Sequence, residues 1–491
     1  MKRAALTLLF VLAGMIVSTP EAVGQRTPGQ AVTWRNFDYV RAVTSSNSHV
    51  YYATSGGIIR YDKLRRQWEL PLTGADGTPT EDVQQLWVDQ FGQTLFLGTE
   101  LALYEYDAFF DRWTSITELP QLDNQISHVP APDILTPQFD AIYRGQGEFV
   151  DFFSRRFETT DIVQDAVGDL WIGTWGFGPA RGEVLSGLME LLPYGLLQNQ
   201  VDVILPDDTV LWLAGEIRGD FRTGLTSFDP SGNRFSYIES GLTGDFPAND
   251  VYCLQADSAW IYVGTPRGLY RLNKSDHIAR GPLNSRRGLP DDFVTSLALT
   301  GESLYVGTAG GLSLLRLRSD SLVRIWPETF RRQIIYDLEV VDNTVWIASS
   351  AGAFRYTPEN DRLQQFQDSD LVLFHEVLNV EHYGSAVWLA ADEGVVRLDL
   401  NTGKSEAFRE PSSLRDRRAL AVNDRLIALA VNNGVALIIP GRKKTRTVKL
   451  TTNDGLSSDD IRTLYLGGDY LWIGSDRGLT RFLWNDPRWV D

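Results

Sequence analysis

The chain has 491 residues, 43% of them hydrophobic, and carries a formal charge of −17 at pH 7. A surface this acidic excludes nucleic acid and anionic membrane surfaces as partners, because both require a basic footprint. The apolar fraction is sufficient for a large core, and 43 glycines and 21 prolines suit an all-β protein with many tight turns.

The N-terminus predicts a cleavable signal peptide. A basic start precedes an apolar run over residues 4–17, which is too short to span a bilayer comfortably. Small residues predict cleavage before Gln25, so we expect a signal peptide over 1–24 and a repeat domain over 25–491. No cysteine follows the run, and no later segment approaches the length of a membrane span. The sequence therefore favours a periplasmic or secreted protein with neither a lipid anchor nor membrane insertion.

One short phrase recurs ten times along the chain, and LWIGSDRGLTRF at 471–482 is a clear copy. The phrase consists of an apolar, an aromatic and an apolar residue, two small residues, a turn that contains glycine, and a second apolar run. The copies begin at Val50, Leu95, Leu170, Leu211, Ile261, Leu304, Val345, Val387, Ile427 and Leu471. Successive copies are 40 to 50 residues apart, except for one step of 75 between the second and third.

This spacing predicts one four-stranded antiparallel β-propeller blade for each copy. The sequence therefore predicts an all-β fold, a propeller of about ten four-stranded blades. Because no linker separates the fifth and sixth copies, we expect one large ring, with two smaller rings as the alternative. A strand near residues 34–40 or the segment 484–489 is expected to close the ring and leave no free edge.

The second position of the phrase is aromatic in nine of the ten copies, with Ala428 as the exception. The nine aromatic residues are Tyr51, Phe96, Trp171, Trp212, Tyr262, Tyr305, Trp346, Trp388 and Trp472. Because a large side chain recurs at the same point in every blade, we interpret these residues as packing between neighbouring blades. A ligand cage would instead be uneven around the ring.

No residue is predicted to be catalytic. The only cysteine, Cys253, lies in the apolar strand pattern DVYCLQA, which predicts a buried structural thiol. The histidines show no metal-ligand spacing, and the sequence has no nucleophile elbow, Walker loop or dinucleotide fingerprint. We therefore expect no metal and no cofactor. Carboxylates brought together by the fold leave a propeller lyase or hydrolase open as an alternative.

The phrase LWIG(T/S)xxGLxR(F/Y), with GLxx(D/N)(D/N)(V/I) as in GLSSDDI at 455–461, resembles the two-component regulator propeller repeat. The resemblance covers about residues 35–489. It implies a propeller of the kind found in the extracytoplasmic sensing part of hybrid sensor kinases and in a component of the type IX secretion apparatus. Because neither a transmembrane helix nor a kinase follows the repeats, we expect any signal to pass through a separate partner.

The regular spacing breaks in one sector of the predicted propeller. An insertion at about 115–160 separates the second and third copies, and long turns follow at 174–182 and 215–224. Long loops on a rigid scaffold commonly carry binding sites, so we expect these segments to converge over blades three and four. The candidate ligand- or partner-binding residues are Trp175, Phe177, Arg181, Glu216, Arg218, Asp220 and Arg222, with His128, Tyr143 and Arg144 as further candidates in the insertion. The alternative is that the insertion simply covers the two turns.

These features favour an exported, non-catalytic propeller that acts as an interaction scaffold or accessory subunit in the bacterial cell envelope, with an envelope protein as its partner. The alternative is a soluble extracytoplasmic sensor of a small ligand such as a glycan, which works through a separate membrane protein. The position of Trp175 outside the packing positions favours this second function.

Overall fold

The computed structural model describes residues 31–74, 79, 83–107, 112–122, 126–217, 219, 222–241, 250–366, 376–391, 394–409, 420–440 and 445–486. The signal peptide predicted over 1–24 lies outside these ranges. Regular structure within them consists of β-strands and the short 3-10 helices Ser285–Arg287, Pro358–Asn360 and Thr452–Asp454. None of the helices in these ranges has the length and apolar character needed to span a bilayer.

The first three sheets along the chain are defined as blades 1, 2 and 3, while β1 (Ala31–Trp34) belongs to the last blade. Blade 1 contains β2 (Val40–Ser45), β3 (His49–Thr54), β4 (Gly57–Asp62) and β5 (Gln67–Trp68). Blade 2 contains β6 (Gln85–Val88), β7 (Thr94–Gly98), β8 (Leu103–Asp107) and β9 (Arg112–Ile116). The sheet of blade 3 contains β10 (Ser127–His128), β11 (Thr136–Pro137), β12 (Ala141–Gly145), β13 (Glu148–Asp151), β14 (Arg156–Gln164), β15 (Asp169–Trp175), β16 (Pro179–Glu183) and β17 (Leu188–Leu191).

The remaining sheets are defined as blades 4 to 10. Blade 4 contains β18 (Val203–Asp207), β19 (Val210–Ala214), β20 (Gly224–Asp229) and β21 (Arg234–Glu239). Blade 5 contains β22 (Cys253–Ala256), β23 (Trp260–Thr265), β24 (Gly268–Asn273) and β25 (Ala279–Leu283). Blade 6 contains β26 (Val294–Thr300), β27 (Ser303–Thr308), β28 (Gly311–Arg316) and β29 (Ser321–Ile325). Blade 7 contains β30 (Ile335–Val341), β31 (Thr344–Ser349), β32 (Gly352–Thr357) and β33 (Arg362–Gln365). Blade 8 contains β34 (Asn379–Tyr383), β35 (Ala386–Ala391), β36 (Gly394–Asp399) and β37 (Ser405–Arg409). Blade 9 contains β38 (Leu420–Val422), β39 (Ile427–Val431), β40 (Gly434–Ile439) and β41 (Arg446–Leu450). Blade 10 contains β42 (Ile461–Gly467), β43 (Tyr470–Ser475) and β44 (Gly478–Leu483).

Apart from the strands that the insertion adds to blade 3, each blade is an antiparallel meander in which consecutive strands pair, and the repeat phrase spans its second and third strands. The all-β propeller fold of four-stranded blades is therefore confirmed. Blade 10 receives its fourth strand from the start of the described chain, where β1 pairs antiparallel with β44. The hydroxyl groups of Thr33 and Thr480 lie 2.8 Å apart in this pairing. The expected closure by an N-terminal strand is thus found at 31–34.

Blades 4 to 10 form a closed ring of seven. The first strand of each blade packs against the first strand of the next, and β42 of blade 10 packs against β18 of blade 4. At this closure the Val201 N–H donates to the Ser475 carbonyl over 2.9 Å. A Cβ at Gly474 would lie 2.6 Å from the Val201 oxygen, so only glycine permits this close approach.

Blades 1, 2 and 3 form a separate arc, in which blade 1 lies between the other two. The β2 strand packs against β14 and β15 on one side and against β6 on the other. The Asp161 carboxylate of blade 3 accepts the Val43 N–H over 2.8 Å, as Asp337 of blade 7 accepts the Val380 N–H over 3.0 Å. A seven-bladed ring with a three-bladed arc replaces the single ring that the spacing predicted, because the phrase encodes contact between neighbours and not the number of blades in a circle.

The phrase aromatics pack between blades, as predicted. All nine are buried. Tyr51 of blade 1 joins the core cluster of blade 2, Trp346 of blade 7 joins that of blade 8, and Trp472 joins the cluster at the closure with blade 4. Apart from blade 9, which has Ala428, each ring blade therefore presents its aromatic to the blade that follows it around the ring. Cys253 is also buried, in agreement with its predicted structural role.

The insertion covers the face of blade 3 that points away from blade 1. Leu135 and Phe149 of the insertion are buried against Ile172 and Met189 of the blade, and the ring of Phe139 packs on the same cluster. The hairpin β12–β13 extends the sheet beyond β14, and β11 pairs in parallel with β17. The insertion therefore takes the place that a neighbouring blade occupies in the ring.

Two glutamates lie on first strands of the seven-bladed ring, Glu339 on β30 and Glu381 on β34. Burial raises the pKa of Glu339 to about 8, and the charge of Asp337 adds to this effect. Burial likewise raises the pKa of Glu381, with Asp337 and Glu339 contributing repulsion. Both carboxyl groups are therefore protonated in the folded protein at pH values where an exposed glutamate is ionised.

We predict that Glu339 makes the free energy of unfolding decrease between pH 5 and 8. In the unfolded chain a glutamate ionises near pH 4.5, whereas folded Glu339 holds its proton up to about pH 8, so the folded state binds more protons across this window. Glu339→Gln should reduce the loss of stability by about 1.4 kcal/mol per pH unit, measured by urea unfolding at several pH values. The exposed Glu100→Gln is the control. If the free energy of unfolding fell equally steeply with pH in the two variants, the prediction would be contradicted.

Candidate functional site

The indole of Trp175 lies at the end of β15 and is 38% exposed. Its ring meets that of Tyr39 edge to face, with the centroids 5.2 Å apart. The Arg41 guanidinium lies 5.9 Å from the Trp175 ring. Of the predicted site residues, Trp175 therefore presents an aromatic surface to solvent at the seam between blades 1 and 3.

Phe177 is 6% exposed and belongs to the core beneath the insertion. Its ring stacks on Phe157 with a centroid separation of 3.6 Å, and Phe139 packs against its edge. The insertion thus covers this turn, which was the alternative expectation. Because its ring is enclosed by other aromatic side chains, Phe177 supports the fold of the insertion and is not available to a ligand.

Two of the three further candidates in the insertion, His128 and Tyr143, have internal roles. The His128 imidazole lies 2.8 Å from the Asp161 carboxylate, which in turn holds the backbone of blade 1. The Tyr143 hydroxyl donates to the Pro132 carbonyl and accepts the Gly147 N–H over 2.9 Å. Arg144 is exposed.

Arg222 lies in a buried ionic network that joins the arc to the ring. Its guanidinium bonds Asp38 at 3.2 Å and Glu239 at 3.0 Å, and its side chain is 13% exposed. Glu239 also accepts from Arg155 of the insertion over 2.9 Å. Burial opposes the charged form of Arg222, but the two carboxylates outweigh burial and raise its pKa. Arg222 therefore holds three parts of the chain together.

Glu216 lies on blade 4 and is held by its neighbours. Its carboxylate accepts the Tyr252 hydroxyl over 2.7 Å, and its N–H donates to Asp202 over 2.7 Å. Burial and this hydrogen bond raise the pKa of Tyr252. Arg218 and Asp220 lie outside the described residues, so their place relative to Glu216 stays a prediction.

Arg181 lines a cleft of about 340 Å³ between blades 1 and 3. Its guanidinium pairs with Asp169 at 2.9 Å and lies 5.8 Å from the Trp171 ring. Trp171 and Tyr61 contribute aromatic surface to the same cleft. Asp169 and Trp171 lie on the part of β15 remote from Trp175, so the structure places Arg181 and Trp175 at different ends of one seam.

A buried ion pair between Lys63 and Asp165 crosses this cleft, with a distance of 2.9 Å between nitrogen and oxygen. Asp165 also accepts the indole N–H of Trp171 over 2.9 Å. Burial opposes its ionisation, but the hydrogen bonds from Trp171 and Lys63 outweigh burial, so the pKa of Asp165 is lowered. Asp165 is therefore ionised at neutral pH, and its contact with Lys63 joins blade 1 to blade 3.

Arg66 is the exposed cation of the cleft. Its backbone is left-handed, with φ of 52°, and its side chain forms no ion pair with another residue in the described part of the chain. A cleft with an aromatic floor, a neutralised ion pair and one free guanidinium can bind a small polar or anionic ligand. Sequence reasoning missed Lys63, Arg66 and Asp165 because they lie in ordinary turns of blades that are not consecutive.

One group of residues in the described chain has the donor set of a metal site, although the sequence predicted none. Ligand atoms of His49, Asp62 and Glu69 lie within 4.8 Å of one another. Glu69 already accepts from His49 at 3.2 Å and pairs with Arg60 at 3.3 Å, while Asp62 accepts backbone N–H groups. These atoms satisfy one another, so the arrangement is explained by internal hydrogen bonds.

Comparison with known proteins returns no matching family model and no matching curated protein. Among solved structures, the extracellular domain of the hybrid two-component system BT3049 from B. thetaiotaomicron has 17% identity and a TM-score of 0.48, with 90% of this chain covered. PorZ, a surface component of the type IX secretion system of Porphyromonas gingivalis, has 15% identity, a TM-score of 0.49 and the same coverage of this chain. This chain spans 61% of the BT3049 domain and 68% of PorZ. The two proteins are of the kinds that the repeat phrase resembles, and identities this low show no more than the fold.

We predict that Arg222→Met destabilises the protein by about 3–5 kcal/mol, because it removes a buried cation that pairs with both Asp38 and Glu239. Urea unfolding measures the loss. Arg234→Met is the matched control in the same blade, since Arg234 is exposed and its pair with Asp229 should contribute at most about 1 kcal/mol. Similar losses in the two variants would show that the buried network does not hold the arc to the ring.

Proposed function

We propose that this protein is an extracytoplasmic, non-catalytic propeller that acts as an interaction scaffold or accessory subunit in the bacterial envelope. The observation that supports the proposal is the open end of the arc. In six of the seven ring blades a phrase aromatic packs against the next blade, and blade 9 has Ala428 at that position. In the described chain, only blade 1 is found packed along blade 2. Blade 2 therefore offers a sheet face of the kind that other blades use for contact.

The outward face of blade 2 follows from its strand register. Leu86 and Leu97 point to blade 1, so the alternate residues Trp87 and Phe96, which pair across β6 and β7, point away from it. Phe96 is buried, at 4% exposure, whereas Trp87 is half-buried. Leu103 lies on the same outward face, because it pairs with Gly98, two residues beyond Phe96.

The third strand of blade 2 is only half-buried at its start. In the ring blades, by contrast, the first residues of the third strand are buried. Leu101, in the turn before that strand, is 97% exposed. Apolar side chains that lack the cover found elsewhere in the molecule favour contact with another polypeptide. A partner that presents an apolar sheet face fits this surface, since two sheets pack through interdigitated apolar faces.

The arc also has the rigidity that a scaffold needs. The side-chain amide of Asn233 in blade 4 donates to the Trp68 and Glu69 carbonyls at the end of blade 1, each over 3.3 Å. The Tyr194 ring stacks on Trp68 of blade 1 at 4.9 Å. Aromatic packing and the Arg222 network thus fix the arc against the ring, so a partner on blade 2 would be held at a defined distance from the ring.

We predict that the double variant Trp87→Gln/Leu103→Gln loses a stoichiometric partner that the tagged wild-type protein retains from cross-linked envelope extract. Leu101→Glu should weaken the same capture, and its exposed position leaves the fold undisturbed. Leu64→Glu, an exposed leucine of blade 1, is the control. Thermal unfolding confirms that each variant is folded. A partner retained by both blade 2 variants would contradict the role of this face, and the absence of any stoichiometric partner would contradict the scaffold function.

A second candidate function is the binding of a small ligand such as a glycan, with its effect passed to a separate protein. The cleft between blades 1 and 3 supports it, because Tyr61 and Trp171 supply surface on which a sugar can pack and Arg66 supplies a free guanidinium. Because the ion pair of Lys63 and Asp165 joins blades 1 and 3, a ligand in the cleft that moved either residue would affect both blades.

We predict that a saccharide bound in this cleft stabilises the protein by about 2.7 kcal/mol at 100 times its dissociation constant, as measured by thermal shift across a saccharide panel. Arg66→Asn should abolish the shift, and asparagine tolerates the left-handed backbone at this position. Trp175→Ala should retain the shift, because Trp175 lies at the other end of the seam. If Trp175→Ala abolished the shift and Arg66→Asn retained it, the ligand would instead bind at the 174–182 turn.

A further inference from the structure

A pocket of about 310 Å³ lies at the seam between blades 6 and 7, remote from the arc. It is formed where the turn between β27 and β28 meets the connection from β29 to β30. Arg324, Arg331 and Arg332 line it, together with Phe330 and Gly310. Three cations around one pocket are unusual for a chain with a net charge of −17.

Small residues in the turn of blade 6 leave the space of the pocket open, as Ser55-Gly56 at the same position keeps the turn of blade 1 small. Blade 6 has Ala309-Gly310 there, whereas blade 5 has Pro266-Arg267 and blade 10 has Asp476-Arg477. A Cβ on Gly310 would lie 3.1 Å from the Asp291 side chain and 3.2 Å from the Pro290 carbonyl. An arginine at this position, as in the other two blades, would therefore fill the space.

The connection into blade 7 departs in charge from the equivalent connections. Phe330 is fully buried at the position of Leu289 in the connection into blade 6, and both precede the inner strand by the same number of residues. The two residues that follow are Arg331-Arg332, where the connection into blade 6 has Pro290-Asp291. Blade 7 therefore places two arginines where the preceding blade has none.

The positive charges of the three arginines are available to a ligand in the pocket. Arg324 donates to the carbonyls of Gly288 and Leu289 over 3.1 and 3.3 Å, which fixes its guanidinium at the rim of the pocket. Arg331 and Arg332 are exposed, and neither forms an ion pair or a side-chain hydrogen bond with the described residues. The one carboxylate that lines the pocket, that of Asp291, accepts the Phe293 N–H over 2.8 Å.

The backbone of this connection is strained at two positions. Trp326 and Arg332 have positive φ values of 43° and 60°, although neither is glycine, asparagine or aspartate. Such conformations persist where the surrounding structure enforces them, and they are frequent at ligand-binding sites. Here the left-handed turn at Arg332 accompanies a guanidinium that lines the pocket.

We propose that this pocket is a binding site for a small carboxylate ligand of monosaccharide size, such as a uronic acid. Guanidinium groups bind carboxylates through paired, charge-assisted hydrogen bonds, and the free arginines supply these donors. The volume of the pocket is at the lower limit for ligand sites, which suits one sugar ring and not an extended peptide. The site lies on the ring, so it is independent of the surfaces on blades 1, 2 and 3.

Titration calorimetry with glucuronate tests the proposal, with glucose as the neutral control. We expect one equivalent of glucuronate to bind, glucose not to bind, and the affinity for glucuronate to fall as salt concentration rises. Arg331→Gln/Arg332→Gln should weaken glucuronate binding at least about tenfold without a change in melting temperature, because these side chains have no partners to lose. Gly310→Arg should block the pocket.

The matched control is Arg286→Gln/Arg287→Gln, an exposed arginine pair that does not line the pocket. It should bind glucuronate as the wild-type protein does. An equal loss of affinity in both double variants would reduce the effect to overall charge and overturn the site. Binding of glucose as tight as that of glucuronate, absence of glucuronate binding, or displacement of glucuronate by an equimolar oligoglutamate peptide would each overturn the proposal as well.

Discussion

Each blade of this protein has two faces that must be covered, and the rest of the architecture depends on this constraint. A blade carries a large phrase aromatic on one face, such as Trp346, and exposing it would forfeit the burial that stabilises the sheet. Seven blades satisfy the constraint by closing a circle. The arc of three cannot close, so its outer faces require other cover. The insertion supplies that cover for blade 3, much as terminal caps do in repeat proteins, while blade 2 keeps a face suited to a partner.

The same constraint explains why charged groups are buried where the arc meets the ring. Two chain segments cross between these bodies, and their backbones pair where the Leu196 N–H donates to the Arg35 carbonyl over 2.8 Å. A buried cation must be neutralised, and Arg222 achieves this with carboxylates from the crossing segment and from blade 4. The ionic network thus specifies which surfaces meet, while the aromatic rings of Trp34, Trp68 and Tyr194 supply the apolar burial.

The fold of each blade could be predicted from the sequence, because the phrase encodes local pairing and one aromatic contact with a neighbour. The closure could not, since Trp171 in the arc and Trp472 in the ring occupy identical positions in the phrase and differ only in which blade they meet. The candidate site was predicted less well. Trp175 is exposed, whereas Phe177 is covered by the insertion and Arg222 is neutralised within the core. The cleft at Lys63 and Asp165 joins blades 1 and 3, which a reading in chain order does not place side by side.

The two kinds of irregularity in this repeat have different physical meanings. An added length of chain brings new apolar surface, which must be buried, so the insertion at 115–160 serves packing before it can serve recognition. A change of residue at constant length leaves the packing intact and alters only what the surface offers. Gly310 removes a side chain from a regular turn, and Arg331-Arg332 place charge on a connection whose buried anchor, Phe330, is preserved. In this protein, the pocket between blades 6 and 7 therefore lies where the spacing is regular and the residues differ from those of the neighbouring blade.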